Sequence, residues 1–279
     1  MTILAVGAAG RFAGNVVPAL VKRGATVRGL VRKPEELDHV RRSGAAEVVV
    51  GDLRNRASLD AALAGIEAVF YIGPAFLPDE AEVGKGTVEA AIRAGVRRFV
   101  FSSVIHPVLS VLSNHAAKAP VEEAILTSGM EYTFLHPARF YQNFAAFWTR
   151  VIEDGVLAEP WSAETRFSLV DYRDVADVAA IALTEDRLRY GTFELCAPEY
   201  WNRRDIAALM SEVLGRKIGE RRYTDAVGDA SPAMRAMFDH YDRHDLVGNP
   251  LTLQAILGRE PRSLKAYFEE LAQDSRIGR

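Results

Sequence analysis

The chain of 279 residues reads as an α/β protein: a doubly wound parallel sheet, followed by a smaller C-terminal α+β part. Three observations predict this. Short apolar runs alternate with helical patterns from Ile3 to Leu135. A glycine follows each of the helical patterns in that stretch. A glycine-rich turn, Gly7-Ala8-Ala9-Gly10, joins the first apolar run to the first helical pattern.

The elements follow in order. Strands are expected at 3–6, 26–31, 47–50, 68–72, 98–101 and 132–135. Their near-continuous apolar character is that of strands covered on both faces. Helices are expected between them, at 12–22, 35–43, 58–64, 80–94 and 118–128, with spacings that suit right-handed crossovers. Gly24, Gly44, Gly65, Gly95 and Gly129 stand where left-handed C-caps occur. Beyond residue 150, Asp154-Gly155 and Glu159-Pro160 mark turns. A strand is expected at 166–170 and a helix at 171–183, with Val175, Val178, Ala179 and Ala182 on one face. Another strand is expected at 191–196. Asn202 is placed to cap a helix over 202–214. From Ser231 onward the chain reads as helical, interrupted at Gly248-Asn249-Pro250 and Gly258. Residues 1–150 are thus expected to form one domain. Residues 151–279 are expected to form a substrate-binding part, packed on the first with some exchange of chain, that completes a pocket at the end of the sheet.

Composition bounds the function. Hydrophobic content of 49% and charged content of 25% are those of an ordinary soluble domain. A net charge of −3 gives no global basic field for nucleic acid. The single cysteine, Cys196, cannot form an internal disulfide and reads as a small buried apolar residue. No apolar stretch is long enough to span a bilayer, and the N-terminus lacks a signal layout, so a cytoplasmic protein is expected. No His/Cys/carboxylate spacing suggests a metal, and no nucleophile elbow is present. The oligomeric state is left between monomer and homodimer.

The glycine turn carries the first functional inference. Gly7 allows a sharp turn after the strand. Gly10, lacking a Cβ, lets the backbone approach a pyrophosphate. Ala13, in the third-glycine position, allows close packing of helix on strand. The same spacing also serves a strand-to-helix turn that holds no ligand. At the end of the second strand stand Arg32-Lys33, with no carboxylate before Glu35. Basic residues there favour a ribose 2′-phosphate, so NADP(H) is expected over NAD(H).

The ordered set of motifs resembles the NmrA-like family of atypical short-chain dehydrogenases. It comprises Gly7-Ala8-Ala9-Gly10-Arg11-Phe12-Ala13, Gly51-Asp52-Leu53 with the run from Leu59 to Phe70, and Phe101-Ser102-Ser103. It continues through Lys118 with Val121-Glu122-Glu123, then Tyr132–Pro137, Phe140–Phe144 and Val170–Ala176, and the resemblance runs to about Leu257-Gly258-Arg259. The resemblance implies a Rossmann domain that binds a nicotinamide dinucleotide. It places cofactor contacts at Gly7, Ala9, Gly10, Arg11, Phe12, Asp52, Leu53, Ile72, Gly73, Pro74, Lys118 and Pro137, beside Arg32 and Lys33. The usual Tyr-x-x-x-Lys signature departs here to Asn114-His115-Ala116-Ala117-Lys118, so the lysine is present and the tyrosine is not. His136 replaces the arginine of the family's "LRP" block, so no role of that arginine carries over.

The resemblance makes Lys118 the leading catalytic candidate, as a donor to the nicotinamide ribose. His115 is the candidate acid, because an imidazole titrates near neutrality. Residues 140–148 carry five aromatic side chains. They read equally as the lining of a flat apolar pocket and as a core-facing helix. On the pocket reading Tyr141, Asn143, Phe144 and Trp148 contact a conjugated small molecule; Trp161, Trp201, Phe238 and Tyr241 are further candidates for its lining. Two functions are carried forward. One is an NADPH-dependent oxidoreductase that passes hydride to a quinone, azo compound or enone. The other is an NADP(H)-sensing regulator without turnover, which the missing tyrosine favours.

Overall fold

A computed structural model of the chain describes residues 1–223 and 230–277. Strands β1 (Thr2–Val6), β2 (Thr26–Val31), β3 (Glu47–Val50), β4 (Ala68–Ile72), β5 (Arg98–Ser102) and β6 (Glu131–Pro137) all lie where the apolar runs place them. With β10 (Gly191–Leu195) they form a seven-stranded sheet in the order β10-β6-β5-β4-β1-β2-β3. The pairs from β3 across to β6 are parallel. Bonds from Tyr190 N–H to Tyr132 O and from Ala138 N–H to Leu195 O add β10 in the same sense. The order reverses between β1 and β4. That switch point leaves a crevice at the carboxyl ends of the two strands, the place where open α/β sheets bind ligands.

The intervening helices are α1 (Val16–Lys22), α2 (Leu37–Arg42), α3 (Arg56–Leu63), α4 (Glu80–Arg93), α5 (Ser113–Ala116), α6 (Ala119–Leu126) and, later, α8 (Tyr172–Thr184). One sheet face buries Leu4, Val69, Tyr71, Phe99 and Phe101 in a cluster with Leu59, Leu63, Val88, Val121 and Ile125 of α3, α4 and α6. Ile3, Ala5, Val27, Phe70 and Val100 alternate onto the opposite face and are also buried. The five cap glycines have φ between 72° and 100°. The expected helix at 12–22 is split: a 3-10 turn, Ala13–Asn15, precedes α1. Pro18 explains the split, since it has no N–H to return to the carbonyl one turn earlier.

Arg98, only 2% exposed, joins three elements at the N-terminal end of β5. It donates to the carbonyls of Ala182 (3.1 Å) and Glu185 (2.7 Å) at the end of α8. It also pairs with Glu131 (2.9 Å) and Asp186 (2.7 Å). Burial alone would raise the Glu131 carboxyl, but Arg98 and Arg189 outweigh it and hold the group below its usual range. The Arg98 hydrogen bond does the same for Asp186.

The chain forms two compact units, each discontinuous in sequence. The first comprises Met1–Ser110, Asn114–His136 and Arg173–Phe193; the second comprises Val111–Ser113, Pro137–Tyr172 and Glu194–Arg279. No single boundary near residue 150 separates them. In the second unit, β8 (Val156–Glu159) pairs in parallel with β11 (Gly219–Arg222), and β7 (Arg139–Phe140) pairs with β9 (Leu169–Val170). The strand expected at 166–170 is therefore shorter. Phe167 instead bridges Trp201 and Leu246, two different segments, so no continuous ladder forms. This unit also holds α7 (Trp148–Asp154), α9 (Arg203–Leu214), α10 (Pro232–Tyr241), α11 (Leu251–Leu257) and α12 (Leu264–Ile277). Asn202 caps α9 by accepting from Asp205 N–H at 3.0 Å. Among the described residues no helix is long and apolar enough to cross a membrane.

Candidate cofactor and catalytic site

At the end of β1, Gly7 takes φ +71° and accepts a 2.8 Å hydrogen bond from Gly10 N–H. A Cβ on Gly10 would stand 3.0 Å from that same carbonyl oxygen, a crowded contact that glycine avoids. Ala13 is buried against Gly7. Ala8 N–H donates to Leu30 O at 3.1 Å, which sets the glycine turn beside the end of β2. Ala9 is half-buried and Arg11 is exposed, its guanidinium 5.6 Å from the Phe12 ring centroid. Arg32 and Lys33 are exposed. Their backbone N–H groups both donate to Glu36 Oε2 at 3.1 Å. Their side chains are what this strand end offers to an anion.

Beyond β3, Asp52 Oδ1 accepts from Arg54 N–H at 2.9 Å. Arg54 in turn grips Asp79 through two bonds of 2.7 and 2.8 Å. Leu53 and this pair line a cleft of about 380 Å³ with Val83 and Arg93.

Beyond β4, Ile72, Gly73 and Pro74 are half-buried. Lys118 Nζ lies 3.4 Å from the point that a Cβ on Gly73 would occupy, and Tyr71 Oη lies equally near. The lysine is buried and paired with Glu80. Asn114, in the place of the tyrosine, has a buried Oδ1 with no hydrogen-bond partner among the described residues. Such an acceptor is costly unless a donor reaches it. His115 is buried, with Nδ1 3.2 Å from His106 O. A carbonyl oxygen can only accept, so Nδ1 carries a proton in that contact. His136 Nε2 lies 2.9 Å from Glu122 Oε1, which also accepts from Ser103 Oγ at 2.5 Å.

The aromatic segment lies in the second unit. Phe144 meets Phe268 edge to face at 5.2 Å, and Trp148 stacks on Phe268 at 5.4 Å. Trp148 Nε1 donates to Ser275 Oγ at 3.1 Å, and Tyr141 Oη donates to Arg262 O at 3.3 Å. All three side chains are buried, while Asn143 is half-buried. Packing therefore accounts for Tyr141, Phe144 and Trp148 without a ligand. Pro137, also buried, ends β6. The Arg139 guanidinium lies 5.0–5.2 Å from the Phe144, Trp161 and Phe167 rings and pairs with Glu159 at 2.5 Å. Phe238 and Tyr241 adjoin Trp161. Trp201 exchanges backbone hydrogen bonds with Phe167. Burial pushes the Cys196 thiol up to about 12, which removes it as a nucleophile at neutral pH.

Of the candidates named from sequence, the glycine turn closes the end of β1, Arg32 and Lys33 are exposed at the end of β2, and Lys118 is buried beside Gly73. Sequence reading missed Glu80, which looks like any acidic residue opening a helix, and the Ser103–Glu122–His136 contact, whose members are far apart in the chain.

The model of the NmrA-like family matches residues 1–269. An "NAD(P)H azoreductase" of Xenophilus azovorans is 30% identical over 244 residues, 84% of this chain and 81% of that protein. A "(4-alkanoyl-5-oxo-2,5-dihydrofuran-3-yl)methyl phosphate reductase" of Streptomyces griseus is 31% identical over 284 residues, 97% of this chain and 98% of its own. The solved structure of an NADPH-dependent quinone oxidoreductase from Escherichia coli, complexed with NADPH, shares the fold. Its TM-score is 0.84 at 22% identity, covering 97% of this chain and 99% of that one.

Proposed function

The chain belongs to the NmrA-like family, and on that premise we propose that it is an NADPH-dependent reductase of a flat conjugated acceptor: a quinone, an azo compound or an enone. One observation carries the reading. A buried lysine, Lys118, and a buried acceptor with no partner among the described residues, Asn114 Oδ1, belong to one short segment, and the lysine lies against Gly73 at the switch point. A ribose hydroxyl both donates and accepts, so it suits this pair. NADPH, when bound, supplies a hydride from C4 of its nicotinamide.

The residues divide the remaining work. The Gly7–Gly10 turn holds the pyrophosphate and Arg11 adds a charge beside it. The Arg32 and Lys33 side chains hold the 2′-phosphate, since Glu36 occupies their backbone N–H groups. Asp52 and Leu53 lie toward the adenine. Lys118 orients the nicotinamide ribose. A strongly electrophilic acceptor can take its proton from water, so the absent tyrosine does not forbid turnover. His115, buried and engaged with His106 O, suits support of the 106–118 segment better than direct proton delivery. The relatives' names favour conjugated acceptors. An azo bond and the unsaturated carbonyl system of a 5-oxo-2,5-dihydrofuran are both electron-accepting π systems. Steady-state NADPH oxidation over a panel of quinones, azo dyes and enones tests the proposal. NADPH binding with no oxidation by any of them would favour the sensing role instead.

Two variants test the cofactor assignment. Arg32→Ala is expected to weaken NADPH binding by about 1.5–3 kcal/mol, the range for a hydrogen bond to a charged group, and to leave NADH binding unchanged. Equal affinity of the parent for both cofactors would remove this assignment. Gly10→Val is expected to abolish dinucleotide binding, because the branched side chain crowds both the Gly7 carbonyl and the approach to the turn. A folded Gly10→Val protein with unaltered NADPH titration would show that the turn is only structural.

A further inference from the structure

Glu80 opens α4, where an acidic side chain normally rests in solvent against the helix dipole. Here it is 3% exposed. One oxygen, Oε1, accepts from the Lys118 ammonium. The other, Oε2, accepts from Phe76 N–H at 3.0 Å. Phe76 has φ +65°, a conformation that a non-glycine residue keeps only where its surroundings enforce it. It lies in the loop that leaves β4 through Gly73 and Pro74.

Burying a carboxylate is unfavourable unless its charge and its lone pairs are answered. The two donors answer this one, and they do so at different oxygens. Glutamine could not replace it, because its amide nitrogen would face one of the donors. Aspartate is one methylene shorter and could not span both.

We propose that Glu80 is a positioning residue: its two oxygens fix the Lys118 ammonium and the Gly73–Asp79 loop together, so that the lysine and the loop meet the cofactor as one preset surface. The proposal rests on the reading of Lys118 as the donor to the nicotinamide ribose. It also specifies how that lysine works. The charges of the pair cancel, so Lys118 contributes the direction of its hydrogen bonds more than a net positive field.

The test is a double-mutant cycle on NADPH affinity, followed by fluorescence titration, with the parent, Glu80→Gln, Lys118→Met and the double variant. Glu80→Gln is expected to weaken NADPH binding about tenfold in the parent, as loss of one charged hydrogen bond does. It is expected to cost clearly less, about threefold, where Lys118 is already methionine, because only the loop contact through Phe76 N–H then remains to be lost. Limited proteolysis between residues 75 and 78 should also speed up in Glu80→Gln. Glu80→Asp, which keeps the charge, serves as the second variant should the glutamine protein fail to fold, and the same non-additivity is expected of it. Equal, additive losses in both backgrounds would overturn the proposal, as would an unchanged titration of Glu80→Gln. Coupled titrations from a protein that reduces no acceptor would keep the role of Glu80 and remove the reductase reading. Acceptor reduction with additive titrations would do the reverse. A parent that binds no NADPH would overturn both.

Discussion

Lys118→Ala is expected to lower kcat/KM by about 10²-fold or more, the loss typical of one positioned donor in a catalytic site. The substitution does two things at once. It removes the donor beside Gly73, and it strands the buried Glu80 carboxylate without its cation. Breaking a buried pair from one side costs roughly 3–5 kcal/mol of stability. A fall in activity could therefore report partial unfolding. The Lys118→Ala/Glu80→Gln protein separates the two effects. It has no buried unpaired charge, so its urea midpoint should recover toward the parent's while kcat/KM stays low. His115→Ala should cost less than tenfold in kcat/KM. Full turnover by a well-folded Lys118→Ala protein would remove the lysine from the chemistry.

The largest effect on stability is expected at Arg98. Arg98→Met leaves the carbonyls of Ala182 and Glu185 without their donor and Glu131 without one of its cations. The loss should be about 3–5 kcal/mol, a large share of the 5–15 kcal/mol that typically holds a domain together. Equilibrium urea unfolding measures it. The pH dependence gives a second check. Glu131 and Asp186 titrate below their ordinary values in the folded protein. Their contribution is therefore complete above the unfolded carboxylate range, roughly pH 4, and is lost as pH falls through the lowered folded values. Without Arg98 that acid limb should flatten. A variant with the parent's stability and the parent's acid limb would show that the Arg98 contacts are idle.

Much of the sheet was legible because its strands are apolar throughout and each helix between them ends at a glycine. Those are local signals. The limits of legibility have equally physical causes. In the 166–170 run, Phe167 pairs with Trp201 and Leu246, and nothing near Phe167 in the chain announces either partner. Periodicity could not decide whether Phe144 and Trp148 line a pocket or fill a core. Both rings pack on Phe268, far along the chain, a contact no local pattern announces. Lys118 was recognisable by its spacing from Asn114. Its partner Glu80 was not, since an acidic residue in the first turn of a helix is ordinary and only the tertiary contact makes it unusual. The glycine turn was anticipated, but its continuation was not: Pro18 delays the α-helix to Val16.

The discontinuous first unit bears on the order in which the protein can be made. Its last segment, Arg173–Phe193, emerges from the ribosome only after the whole of Pro137–Tyr172, which belongs to the other unit. Until then the growing sheet ends at β6. Tyr132 O lacks the N–H of Tyr190, and Thr133 Oγ1 lacks the carbonyl of Leu188. Arg98 lacks the end of α8. The nascent chain thus carries a bare strand edge and an Arg98 that has Glu131 but not yet the carbonyls of Ala182 and Glu185; such an edge invites mispairing with other chains. Entropy adds little to the difficulty, because closing a long loop costs only logarithmically more than closing a short one. The delay is one of sequence: the amino-terminal half cannot finish first, and the nucleotide-type sheet closes only when translation is already well into the chain's second half.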